Sequence, residues 1–185
     1  MKFYFNVIGI LILLLSLIST AFATSYAPPI AKKIYSLNHH YFIDFNPDKK
    51  IQKVMKVINS THAKYDWPFS YDMEYGDELF VSDNGIHVFV IRSKFVNNED
   101  LHKPAVLIFN PRGLQASMTY NQLSTPRKYH DREIGPIGEF WRIWREDKIF
   151  ITPDGLMHIK VENRLNDVLF DFNSYNTKNN LLKKF

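Results

Sequence analysis

Leu79-Phe80-Val81-Ser82-Asp83-Asn84-Gly85-Ile86-His87-Val88-Phe89-Val90-Ile91 is the stretch whose reading decides the fold. Asp83-Asn84-Gly85 is a tight-turn signal set between two runs rich in β-branched and aromatic residues, the pattern of a β-hairpin. Ile86 to Phe95 is read as the returning strand. Downstream, Ala105-Val106-Leu107-Ile108-Phe109 is a short, wholly apolar strand, Asn110-Pro111-Arg112-Gly113 turns it, and Met118-Thr119-Tyr120 pairs next. Further strands are expected at Phe140 to Arg145 and Ile149 to Thr152. Pro153-Asp154-Gly155 forms a turn, and Met157 to Val161 and Val168 to Phe172 complete the series.

Working back from the hairpin, Tyr41 to Phe45 has the alternation of a short strand. The next segment predicts a helix over about residues 47–62. Asn46 suits the cap, Pro47 the first helical position and Asp48 the positive end of the dipole. Ile51, Val54, Met55 and Ile58 then fall on one helical stripe, with Lys49, Lys50, Lys53 and Lys56 mostly on the other side as a solvated basic face. The fold class expected is therefore mainly β (α+β): an antiparallel β-sandwich or partly open barrel with one N-terminal amphipathic helix.

The chain ends bound this domain. Lys2, the apolar run from Val7 to Ile18 and the Ala21-Phe22-Ala23 pattern are, in order, the parts of a cleavable secretory signal. Cleavage is expected after Ala23, making residues 1–23 a signal peptide. Residues 24–37, with Pro28-Pro29, are expected as an extended arm, 38–172 as a single β-rich domain, and 173–185 as a polar tail. The absence of Cys excludes a lipid anchor on cysteine, a disulfide scaffold, a thiolate metal site and a cysteine nucleophile. Removing the signal leaves about 160 residues, an ordinary length for one domain with its own core. The formal charge of the whole chain, +4, is too mild for a nucleic-acid binder. Lys, Asn and Ile richness suits an AT-rich bacterial source and hence a periplasmic destination, with secretion as the other exported address.

No motif for chemistry emerges. The 7 His show no H-E-x-x-H spacing, and there is no G-x-S-x-G elbow or phosphate loop. Asp72, Glu74, Asp77 and Glu78 form the densest acidic cluster and are read as an acidic loop ahead of a strand. No catalytic, cofactor-binding or metal residue is assigned, and no cofactor is expected. In Phe140-Trp141-Arg142-Ile143-Trp144-Arg145 aromatics interleave with Arg. As a strand, one face carries Phe140, Arg142 and Trp144. That face is the candidate interaction surface, since Trp and Arg are enriched at binding hot spots; the other reading, and the commoner one for a Trp-rich strand, is core on one side with Arg stems covering the other. The long loop at 121–138 is a second element suited to interaction.

From Val81 to Asn163 the chain resembles the C-terminal β-domain of the TrbG/CagX family, periplasmic subunits of the outer-membrane core of type IV secretion systems. The resemblance rests on Asp83-Asn84-Gly85 with His87-Val88-Phe89-Val90, on Pro104 to Phe109, and on the Asn110-Pro111-Arg112-Gly113 turn. Thr119-Tyr120-Asn121 and a hairpin from Ile149-Phe150-Ile151-Thr152 to Met157 through Asn163 complete it. It implies a non-enzymatic scaffold that packs against envelope proteins, in an oligomeric ring and with peripheral contact to the outer membrane. Nucleic acid is not an expected partner. The second reading is an exported hydrolase or small-ligand-binding domain without a recognisable motif.

Overall fold

The computed structural model of the chain describes residues 29–124, 127–128, 141–152, 155–162 and 168–171. A four-stranded antiparallel meander comes first: β1 (Lys32–Tyr35), β2 (Tyr41–Phe45), β3 (Ile51–Val57) and β4 (Ala63–Ser70), in that order across the sheet. The second sheet holds β5 (Glu78–Val81) and β6 (Val88–Ile91), which form the expected hairpin, then β8 (Pro104–Asn110) and β9 (Gly113–Thr119). β7 (Phe95–Asn97), β10 (Arg127–Lys128) and β11 (Trp141–Ile143) make a small third sheet. β12 (Arg145–Ile151), β13 (Leu156–Val161) and β14 (Val168–Asp171) make the last. Every strand pairing among the described residues is antiparallel and no sheet closes on itself, so the fold is mainly β and sandwich-like.

The central strands β6 and β8 of the second sheet are covered on both faces, and this explains why they read as unbroken apolar runs rather than alternations, whereas the edge strand β9 has no buried residue. Val88 and Val90 of β6 join a core with Ile43, Phe45, Val54, Trp67 and Phe69 of the first sheet. Phe89 and Ile91, their neighbours in sequence, point the other way into a core with Met157, Ile159, Val168 and Phe170. In β8, Val106 and Ile108 belong to that same second core, whereas Leu107 and Phe109 pack on the first-sheet side. Each such fully buried side chain contributes about 1.5–3 kcal/mol relative to exposure, so the two cores hold three layers together.

The helix expected over about residues 47–62 is not formed; the segment is strand β3 between two β-turns. Asn46 acts as a turn residue, its Oδ1 accepting from the Asp48 N–H at 2.9 Å and its carbonyl from the Lys49 N–H at 3.1 Å. The helix-like spacing arises because β3 carries apolar residues on both of its faces: Val54 points to the core opposite Ile43 and Trp67, while Ile51 and Met55 lie on the other face. The bulge itself is on β4, where Asp66 is the extra residue between Tyr65 and Trp67, and it leaves the alternation of β3 intact. Ile51 and Ile58, which that stripe would have buried, are exposed. A second observation settles the inner face: Gln52 is buried there and hydrogen-bonds the preceding turn.

Three boundaries also move. Lys32–Tyr35, expected within a free arm, is instead an edge strand registered on β2, with Ile34 opposite Ile43. The returning strand expected over Ile86 to Phe95 breaks at Arg92-Ser93-Lys94, between β6 and β7. Tyr120, expected in a strand, opens a one-turn helix, α1 (Tyr120–Leu123), whose capping box joins Thr119 and Gln122. The signal peptide at 1–23, most of the loop at 121–138 and the tail at 173–185 lie outside the described residues.

Candidate functional site

The candidate face of Phe140, Arg142 and Trp144 divides in the structure. Phe140 lies outside the described residues, and Arg142 sits in β11 opposite Val96. Trp144 is fully buried, which corrects its assignment to an interaction surface. It occupies the break between β11 and β12, where regular alternation is interrupted. Its Nε1–H donates to the Ser93 carbonyl at 2.7 Å, and its ring meets Tyr120 edge-on at 5.4 Å. A buried indole needs such a partner for its N–H, and the chain between β6 and β7 supplies it.

The acidic cluster proves structural in a way its local sequence does not show. Asp77 is buried, and its carboxylate accepts from the Tyr71 hydroxyl, from the Glu74 and Ser93 N–H groups at 2.9 and 3.0 Å, and from Arg92 Nη1 at 2.8 Å. Arg92 Nη2 also reaches Glu74 Oε1 at 3.0 Å. Beside it, buried Arg145 pairs with Glu78 at 2.7 Å and donates from Nε to the Arg92 carbonyl at 3.2 Å. Burial, reinforced by the charge of Asp77, pushes the Tyr71 phenol above its ordinary pKa, and burial does the same to Tyr120. Burial opposes the Arg92 charge, but Asp77 outweighs it and the guanidinium is held protonated. With an arginine between the carboxylates and both phenols kept neutral, the arrangement is an electrostatic lock joining the β4–β5 and β6–β7 connections. Sequence reasoning missed it; the only local signal was the density of acids at 72–78.

The first sheet is where polar groups stay open to solvent. Cross-strand partners share a face, and the register places Ile34, Ile43, Val54 and Trp67 in one row toward the core. The opposite face carries Tyr35, Phe42, Met55 and Tyr65 in one row and Lys33, Asp44, Lys53 and Pro68 in the next. Tyr35 and Tyr65 are 46% and 52% exposed. Between them Phe42 is covered by the Tyr35 ring at 5.2 Å and by the Lys33 ammonium at 5.0 Å. At one end of this face lies a cleft of about 270 Å³, lined by Lys32, Lys33, Lys49 and Lys53 around Asp44 and Ile51. Among the described residues no group of three or more His, Asp or Glu is placed to hold a metal ion.

No family model matches the chain, and no curated protein or solved structure matches it significantly.

Proposed function

We propose that this chain is an exported, non-enzymatic structural or interaction protein of the bacterial envelope, acting through the solvent face of its first sheet. The observation that carries the reading is the Tyr35–Phe42–Met55–Tyr65 row, an apolar strip across all four strands with lysines beside it. Aromatic residues at the centre and charge at the rim are the anatomy of a protein-docking surface. The charge of that rim selects an envelope protein with an acidic docking surface. The buried ionisable groups are consumed by the fold, as the lock around Asp77 illustrates, which favours contact over catalysis. The outer-membrane core of a type IV secretion system is the assembly that the sequence resemblance offers as host.

A photo-crosslinker placed at Tyr65 in the living cell tests this. The expected product joins the chain to one exported protein with an acidic surface, and it weakens when Tyr35→Ser is added. A crosslinker at Leu114, exposed on β9, serves as the control and should give no such product. Retention of the chain in the cytoplasm, or capture at Leu114 equal to that at Tyr65, overturns the reading.

A further inference from the structure

We infer that the lysine-lined cleft at the end of the first sheet is an anion site for a small ligand carrying a phosphate or diphosphate group. The inference goes beyond the partner proposed above and does not depend on it. Lys32 and Lys33 come from β1, Lys53 from β3 and Lys49 from the turn between β2 and β3, so three segments contribute lysines to the lining of one concavity, with the Lys33 ammonium resting over the Phe42 ring at its side. Asp44 is the carboxylate among them, and it offsets one of the four positive charges. Among the described residues the chain's ion pairs are made elsewhere, by Arg92, Lys103, Arg145 and Lys160, with none to Lys32, Lys33, Lys49 or Lys53.

The cleft is also built rather than incidental. Gln52, buried beneath the turn, accepts from the Asn46 N–H at 2.9 Å and donates to the carbonyls of Asn46 and Lys49. The turn that carries Lys49 is thus fixed before any ligand arrives, which lowers the ordering cost of binding. A compact ammonium is a point-charge partner for phosphate oxygens. At about 270 Å³ the space lies at the small end of ligand sites, enough for a diphosphate or a sugar phosphate but not for a large cofactor.

The chain is titrated with inorganic pyrophosphate by calorimetry. In parallel it is mixed with vesicles of phosphatidylglycerol in phosphatidylcholine. Saturable pyrophosphate binding that weakens about tenfold or more in a Lys33→Gln, Lys53→Gln double variant supports the site with a soluble ligand. Vesicle binding with the same dependence, and no pyrophosphate binding, supports it with a lipid headgroup as the source. A Lys103→Gln, Lys160→Gln variant, which removes lysines paired elsewhere, should bind as the parent does. Because the exchanged cleft lysines are exposed, their variant should unfold at the parent's temperature. Absence of both kinds of binding, or binding that the cleft variant leaves unchanged, overturns the inference. Tyr35→Ser should leave pyrophosphate affinity intact, so failure of the anion site and failure of the docking row are told apart.

Discussion

The Asp83–Gly85 turn is seated on the first sheet through Gly85 and Tyr41: a Cβ added at Gly85 would fall 2.2 Å from Tyr41 Cδ1. The same glycine has φ +70°, and its carbonyl accepts the Trp67 Nε1–H at 2.7 Å. Gly85→Ala therefore meets a backbone penalty and a steric one together. The expected loss is about 2–4 kcal/mol, read from urea unfolding, whereas Gly113→Ala should cost only the backbone part. Gly113 also has positive φ, at +108°, but nothing lies within 4 Å of its added Cβ.

Asp77→Asn leaves the half-buried Arg92 guanidinium without its closest countercharge. Breaking one side of a buried pair costs about 3–5 kcal/mol because the remaining charge stays desolvated, although Arg92 keeps 19% of its side chain exposed and Glu74 as a second partner, which places the expectation at the low end. Adding Arg92→Met should recover part of the loss. A double-mutant cycle in chemical denaturation measures the coupling, and strictly additive losses would refute the lock.

Trp144→Phe should remove the hydrogen bond to the Ser93 carbonyl at a cost of about 1 kcal/mol, and Trp144→Ala about 3–5 kcal/mol through the cavity left in the core. Both losses should appear in thermal unfolding of the isolated protein. A Trp144→Ala variant of unchanged stability would return this residue to the surface role that its sequence context suggests.

Local chemistry explains which features were legible beforehand. Asp83-Asn84-Gly85 and the Asn110–Gly113 turn carry their own dihedral preferences, so both hairpins follow from a few adjacent residues. The unbroken apolar run at 105–109 likewise announces a strand, though not that both its faces are covered. Strand β3 was illegible because Asn46-Pro47-Asp48 suits a β-turn as well as a helix start, and apolar residues on both faces of the strand blur its period of two. Pairing with β2 on one side and β4 on the other then decides the outcome, and neither is local. Trp144 misled for a related reason: its orientation depends on a strand break and on a carbonyl 51 residues away. Of the cleft's lysines, Lys49 and Lys53 stand out in the sequence as part of a basic face, whereas Lys32 and Lys33 carry no local signal and join them only through the pairing of β1 with β2.

His87 gives the stability a pH dependence. Burial lowers its pKa from the ordinary 6.5, with the charge of Asp171 opposing the shift in part. The folded state thus binds this proton less readily than the unfolded state does. Its contribution is complete above about pH 6.5 and is lost as pH falls from there through the folded pKa. Unfolding midpoints measured from pH 7.5 to 5 should drop across that window, and His87→Gln should flatten the drop specific to this residue.

Gln52 links the fold to the cleft, and its substitution separates the two. In Gln52→Leu the strand position stays filled, but the Asn46 N–H loses its acceptor and the Asn46 and Lys49 carbonyls lose a donor. The cost expected is about 1–3 kcal/mol, the penalty for leaving part-buried backbone groups unsatisfied. Release of the turn should also speed hydrogen exchange at the Lys49 amide, which bonds to the Asn46 carbonyl at 3.1 Å, while amides of β6 keep their protection relative to global stability. If the turn positions Lys49 for an anion, pyrophosphate affinity falls in this variant although every lysine remains. Loss of stability with unchanged affinity would assign Gln52 to the fold alone and leave the anion site to Lys32, Lys33 and Lys53.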